Sequence, residues 1–159
     1  MIETILEYTM VYLLWTFAIW AMHWFAHNVN GPLMRLHDYH HKQYFIGAYT
    51  DPPPRWIQLL GFYTTDWRDI MEQTTMEIIP TIPVCIMTGH WWPLVIIWAD
   101  NAFLSPYIDH DPKVRKGWWL AYGVFHTDHH ENPTVNYGFY TILWDAVFGT
   151  FKQPAKVKA

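Results

Sequence analysis

His37-Asp38-Tyr39-His40-His41 and His126-Thr127-Asp128-His129-His130 repeat one spacing, H-x-x-H-H, about ninety residues apart, and His23 and His27 add an H-x-x-x-H pair. On a helix, positions i, i+3 and i+4 share a face, so each group presents its imidazoles together. Neutral imidazole is a good ligand for Fe, Zn, Cu or Ni. Four such ligands saturate one zinc site, so eight, joined by His110, point to two ions. Two redox metals a few ångströms apart in a nitrogen-rich pocket can bind and split dioxygen and oxidise an unactivated C–H bond. The eight box histidines show no pattern of nucleophile, base and orienter, which argues against hydrolysis.

The elements that must hold these groups are apolar. The chain of 159 residues is long enough for one domain, 1–159. Only 15% of its residues are charged, well under the usual quarter, and 19% are aromatic, with eleven Trp and ten Tyr. Trp and Tyr collect at membrane–water interfaces. The mean hydropathy of -0.04 averages apolar stretches with histidine-rich ones, so the local pattern is the better guide. Ile5 to Phe25 carries one charge, Glu7, and is long enough to cross a bilayer. It lacks the basic start and small-residue cleavage site of a signal peptide. Met71 to Tyr107 is a second apolar region, broken at Gly89-His90-Trp91-Trp92-Pro93, and reads as a helical hairpin kinked by Pro80 and Pro83. The triple proline of Asp51 to Trp56 sets a turn. After it, Trp56, Ile57, Leu59, Leu60, Phe62 and Tyr63 form a short stripe expected at the membrane interface.

Every Lys and Arg falls in two blocks, Arg35 to Arg68 and Lys113 to Lys158. The positive-inside rule places both on the cytoplasmic side, and the N-terminus and hairpin turn on the other. The expected fold is therefore all-α: a multi-pass integral membrane bundle of three to four helices with a cytosolic, histidine-rich helical cap. The fourth helix is expected at Trp118 to Phe125. Nine histidines then converge on one face, and His90 stands alone a bilayer away.

These groups resemble the fatty acid hydroxylase/sterol desaturase superfamily of membrane di-metal oxygenases. His23 to His27 is similar to its first box, His37 to His41 to its second and His126 to His130 to its last. The tail Asn136 to Thr150, with Asn-Tyr-Gly, Trp-Asp and Phe-Gly-Thr, is the more discriminating likeness, because the boxes alone are shared with acyl desaturases. The resemblance implies O2-dependent hydroxylation or desaturation of a lipid such as a fatty acyl chain or sterol, with two iron ions as cofactor. It places catalytic metal ligation on His23, His27, His37, His40, His41, His126, His129 and His130. It also implies an external electron donor, a ferredoxin or small haem protein with its reductase. The chain itself has no G-x-G-x-x-G and a single cysteine, Cys85, to hold such a group. Zinc, being redox-inert, can fill the same ligands in a purified sample. Three features depart from the family pattern: Phe125 where many members have a further histidine, Leu104-Ser105-Pro106 in place of His-Ser-Gly, and Asp66 to Asp69 in place of His-Pro-x-Glu.

Carotenoid ring hydroxylases, similarly short and with related boxes, are the alternative. A second is a non-catalytic membrane metal- or haem-binding protein, although haem needs only one or two axial histidines. With a net charge of -4 and no basic run, nucleic acid is not expected as a partner. Asp38, Asp109, Asp111, Asp128 and Glu131 are candidates to orient the ligands. Asp100 and Asn101, at a depth similar to Glu77, are polar groups inside the hairpin.

Overall fold

The computed structural model describes residues 2–44, 52–111, 113–114 and 120–153, and among them the secondary structure is helical, with no strand. Helix α1, Ile2–Asn28, is the longest at 27 residues. No Pro or Gly interrupts the sequence until Gly31-Pro32, where the chain turns and Pro32 takes the first position of α2, Pro32–Tyr44. The buried stripe of α1 is Val11, Trp15, Thr16, Ile19, Trp20, His23 and Ala26, a helical period that carries His23 to the buried side. Its other face exposes Ile5, Leu6, Met10, Leu14 and Phe17. By length and composition α1 can cross a membrane, a test that a signal sequence or a buried core helix also passes.

A short α3, Arg55–Leu59, follows the prolines and leaves Trp56, Leu59 and Leu60 exposed. Helix α4, Trp67–Gln73, starts at Asp66, whose carboxylate accepts the Arg68 N–H at 2.8 Å. It passes without interruption through a π-helical turn, Thr74–Ile78, into α5, Ile79–Thr88. The wider turn lies where Pro80 removes the N–H that an α-helix would direct at the Met76 carbonyl. Gly89 ends α5 in the left-handed region at φ 74°, and α6, Trp92–Phe103, returns. The hairpin tip meets the start of α1, with His90 Nε2 2.9 Å from Glu7 Oε1 and the His90 and Tyr8 rings 5.1 Å apart. Trp15, Ile19, Val84, Ile97 and Tyr140 form the core between α1 and the hairpin.

Two expectations require correction. The returning limb is not one crossing helix: α6 has 12 residues, a rise of about 18 Å, short of the ~30 Å bilayer core. It breaks at Leu104 before the single turn of α7, Ser105–Ile108, where Pro106 restricts the residue before it. Among the described residues α1 is the one helix that passes the crossing test. Nor does a helix run up to Phe125 from upstream. Residues 115–119 lie outside the described set, residues 120–123 are not helical, and α8 is Val124–Glu131. Gly123 sets that boundary with φ 61°, at a place where a Cβ would sit 2.2 Å from the Val114 carbonyl oxygen.

Candidate metal centre

All nine histidines expected to converge do so, and they divide into two groups. His23, His27, His37, His41 and His129 form one; His40, His110, His126 and His130 form the other. Within each group the ligand atoms lie within 4.8 Å of one another. The division follows from helix geometry. Residues one apart on a helix diverge by about 100°, whereas residues i and i+4 diverge by about 40°. On α2, His37 and His41 therefore serve the first group while His40 turns to the second. On α8, His126 and His130 serve the second group while His129 turns to the first. Each box straddles both groups.

The five-histidine group fits a cation on its hydrogen-bond chemistry. His23 Nδ1 donates to the Tyr137 carbonyl at 2.6 Å and His129 Nδ1 to the Val135 carbonyl at 2.6 Å. His37 Nδ1 donates to Glu72 Oε1 at 2.7 Å. A neutral imidazole has one N–H, so these three rings present bare lone pairs at Nε2, a tautomer assigned from the bonding network. Yet Nε2 of His23 lies 2.9 Å from Nε2 of His37, two acceptors facing one another. The Nε2 atoms of His27 and His37 are 2.8 Å apart, those of His27 and His129 3.0 Å, and those of His41 and His129 3.2 Å. Nitrogens ~2.1 Å from a shared ion and ~90° apart lie ~3.0 Å from each other. The spacing is that of ligands around one ion.

In the second group His126 Nε2 lies 3.1 Å from His110 Nε2 and 3.0 Å from His130 Nε2. Asp69 Oδ1 stands 3.6 Å from His40 Nδ1 and the Tyr63 hydroxyl 3.4 Å from it, which leaves His40 Nε2 for the cluster. Burial, then the surrounding imidazoles, hold His41, His110, His126 and His130 below the ordinary histidine range, and His129 down at about 3. His40 differs. Burial alone lowers it, but the Glu72 and Asp69 carboxylates outweigh burial and raise it. Burial thus favours the neutral form a metal requires in His41, His110, His126, His129 and His130, while the two carboxylates hold His40 the other way.

A sequence model of the fatty acid hydroxylase family matches residues 8–150, which takes in all nine of these histidines and the tail. The chain belongs to the fatty acid hydroxylase family. Searches of curated proteins and of solved structures returned no match. Membership in the fatty acid hydroxylase family implies lipid-oxidising oxygenase chemistry and a histidine-bound metal centre, and the two histidine clusters fit such a centre.

The family's tail lies against the ligands. Asn136 takes φ 59°, and its side chain accepts from the Lys152 N–H at 2.8 Å and donates to the Lys152 carbonyl at 3.0 Å. Asp145, on α9 (Leu143–Phe148) and fully buried, accepts from Trp20 Nε1 at 3.1 Å and from the Tyr137 and Gly138 N–H groups at 2.8 Å each. It also accepts from the Thr150 hydroxyl at 2.7 Å. Gly138 is required there, because a Cβ would sit 2.2 Å from the Thr141 carbonyl oxygen. Asp145 so fixes the loop whose Tyr137 carbonyl orients His23. Phe139 touches rings of both groups, 4.7 Å from His23 and 5.8 Å from His126.

The acids of the site are mostly not those nearest the boxes in sequence. Glu72 and Asp69, on one face of α4, reach His37 and His40; the sequence reading missed them, and their i, i+3 spacing was the available signal. Of the five acids proposed to orient ligands, Asp109 alone is close, at 3.7 Å from His110 Nδ1 and 3.9 Å from His126 Nε2. Burial, then the carboxylates of Asp100, Glu77 and Glu72, push its carboxyl well above the ordinary range. Asp38 and Glu131 are exposed, Asp111 accepts from the Lys113 N–H, and Asp128 faces Lys152 at 4.0 Å. Glu77 accepts from Tyr140 at 2.5 Å and Asn101 at 3.2 Å, and Asp100 from Tyr122 at 2.6 Å and Ser105 at 3.0 Å. The polar groups of the hairpin are therefore bonded across elements.

Proposed function

We propose that this chain is a membrane-bound di-iron oxygenase that hydroxylates a lipid, such as a fatty acyl chain or sterol. What carries the reading is the pair of adjoining clusters, five and four imidazoles, in the first of which His23, His37 and His129 turn bare Nε2 atoms inward. His23, His27, His37, His41 and His129 hold one ion; His40, His110, His126 and His130 hold the other. Bound iron supplies the activation of O2 and the oxidation of a C–H bond. The balance is R–H + O2 + 2 e⁻ + 2 H⁺ → R–OH + H2O, and a separate donor protein brings the electrons.

The chain's own groups do the rest. Glu72 and the carbonyls of Tyr137 and Val135 hold Nδ1–H of three ligands, which keeps each ring's Nε2 free and aimed. A cavity of about 510 Å³ touches His27 and His41 of one cluster and His130 of the other, with Asp38, Lys42 and Glu131 around it. A substrate bound there would lie beside ligands of both clusters. Phe139 packs against rings of both clusters and Tyr137 against His129. The test is incubation of membranes with ¹⁸O2 and mass analysis of extracted lipids. Label in a new hydroxyl is the expected result. A new double bond without label makes the enzyme a desaturase, and turnover without O2 or with zinc alone sinks the oxygenase reading.

Under the same proposal the chain is multi-pass: α1 crosses, the hairpin enters and returns, and the clusters lie on the cytoplasmic side with the Lys and Arg blocks. The contact of His90 with Glu7 supports it by placing the hairpin tip at the far end of α1. Cysteines introduced at positions 90 and 42, in a Cys85→Ser background, are expected to label from opposite sides of sealed vesicles. Labelling of both from one side overturns the topology.

A further inference from the structure

The four-histidine cluster is one ligand short of its neighbour, and no further imidazole is within reach: Phe125, ahead of the last box, is buried and packs with Phe151 at 6.3 Å, and the tenth histidine, His90, is at the far end of α1. We propose that the Asp109 carboxylate is the fifth ligand of that cluster, so that one ion has five nitrogens and the other four nitrogens and one oxygen. The inference rests on the two-ion reading above and adds to its ligand set.

Asp109 is 9% exposed, and among the described residues no hydrogen-bond donor and no Lys or Arg reaches its carboxylate. A carboxylate buried without donor or cation is strongly disfavoured, and those that persist are paired or bind metals. Its Oδ2 lies 3.9 Å from His126 Nε2, the atom that also faces His110 Nε2 at 3.1 Å and His130 Nε2 at 3.0 Å. Two ligands ~2.1 Å from one ion lie between ~3.0 Å apart when adjacent and ~4.2 Å when opposite. The separation falls inside that interval. The other reading is a hydrogen bond from His110 Nδ1, but at 3.7 Å the pair is too long for one. The backbone is tied on both sides. Asp109 N–H donates to the Ser105 carbonyl at 3.3 Å, and its carbonyl accepts from Gly123 at 3.0 Å, beside the start of α8. The residue thus links the end of α7 to the helix that carries His126 and His130.

A carboxylate gives that ion a negative, hard oxygen donor and leaves the other with neutral nitrogens alone, so the two ions differ in charge and in metal preference. The test uses full-length detergent-purified protein loaded with zinc, a chelator titration, and X-ray absorption at the zinc edge. Wild type is expected to bind two zinc ions. Asp109→Asn, nearly isosteric and still a hydrogen-bond acceptor, is expected to keep one ion at wild-type affinity, weaken the second at least tenfold and lower the oxygen contribution to the absorption spectrum. Asp109→Glu restores the second ion. Two ions at wild-type affinity in Asp109→Asn overturn the assignment and leave Asp109 an acceptor for His110. Loss of both ions in that variant makes Asp109 a folding residue and overturns it too. Fewer than two ions in wild type overturns the two-ion reading, and this assignment with it.

Discussion

His129→Ala is expected to abolish lipid oxidation and to lose one metal ion, while His90→Ala keeps both ions and full activity. His129 is fully buried, and its Nε2 meets those of His27 and His41 at 3.0 and 3.2 Å. Changing residues that merely orient a ligand costs about 10–100-fold in metal affinity, so deleting a ligand costs at least ~100-fold. The ion left with four imidazoles also has a gap on its Val135 side. His90 bonds Glu7, and Glu7 stands about 24 Å of helix rise from His23. That pair is partly exposed, and surface pairs of this kind contribute ~0–1 kcal/mol. Metal analysis of the two purified variants, with activity in membranes, decides it. Metal loss in both would mean that the hairpin tip is misplaced, and retention of both ions in His129→Ala would remove His129 from the ligand set.

Asp145→Ala is expected to be the most damaging change outside the histidines. It strands three buried donors, the Trp20 indole and the Tyr137 and Gly138 N–H groups, and the part-buried Thr150 hydroxyl. Each unsatisfied donor costs about 1–3 kcal/mol, so the sum is a sizeable fraction of a domain's stability. Because the same loop presents the Tyr137 carbonyl to His23, the loss extends to the metal, about 10–100-fold in affinity. Asp145→Asn keeps one acceptor oxygen but sets an NH2 against N–H donors, and is expected to fall between. Thermal unfolding and metal content are read together. A variant that melts early but, when folded, binds metal as wild type would separate the tail from the site and refute the link through Tyr137.

The two histidine clusters were legible because imidazole chemistry and helical spacing are local. His37, His40 and His41 name their own face once α2 is helical, and the 100° step between His40 and His41 already contains the division between two ions. The same step explains why Asp38 and Glu131, which adjoin box histidines in sequence, are exposed while those histidines are buried. The acids that matter come from α4, where Glu72 lies 35 residues from His37, and no local pattern encodes that contact. Asp145 likewise bonds Trp20 over a separation of 125 residues. The hairpin was legible at its tip, where Gly89 and Pro93 mark the turn. It was not legible at Leu104, because apolar composition runs through the break and only Ser105-Pro106 signals it.

The sharing of α2 and α8 between the two clusters ties their loading together. An ion seated among the five imidazoles fixes the rotation of both helices, and with it the directions of His40, His126 and His130. The entropy of ordering those helices is then lost once, and the second ion meets a site already arranged. Under the two-ion reading, seating one ion is expected to favour the other, which a metal titration reads as a loading curve steeper than that of two independent sites.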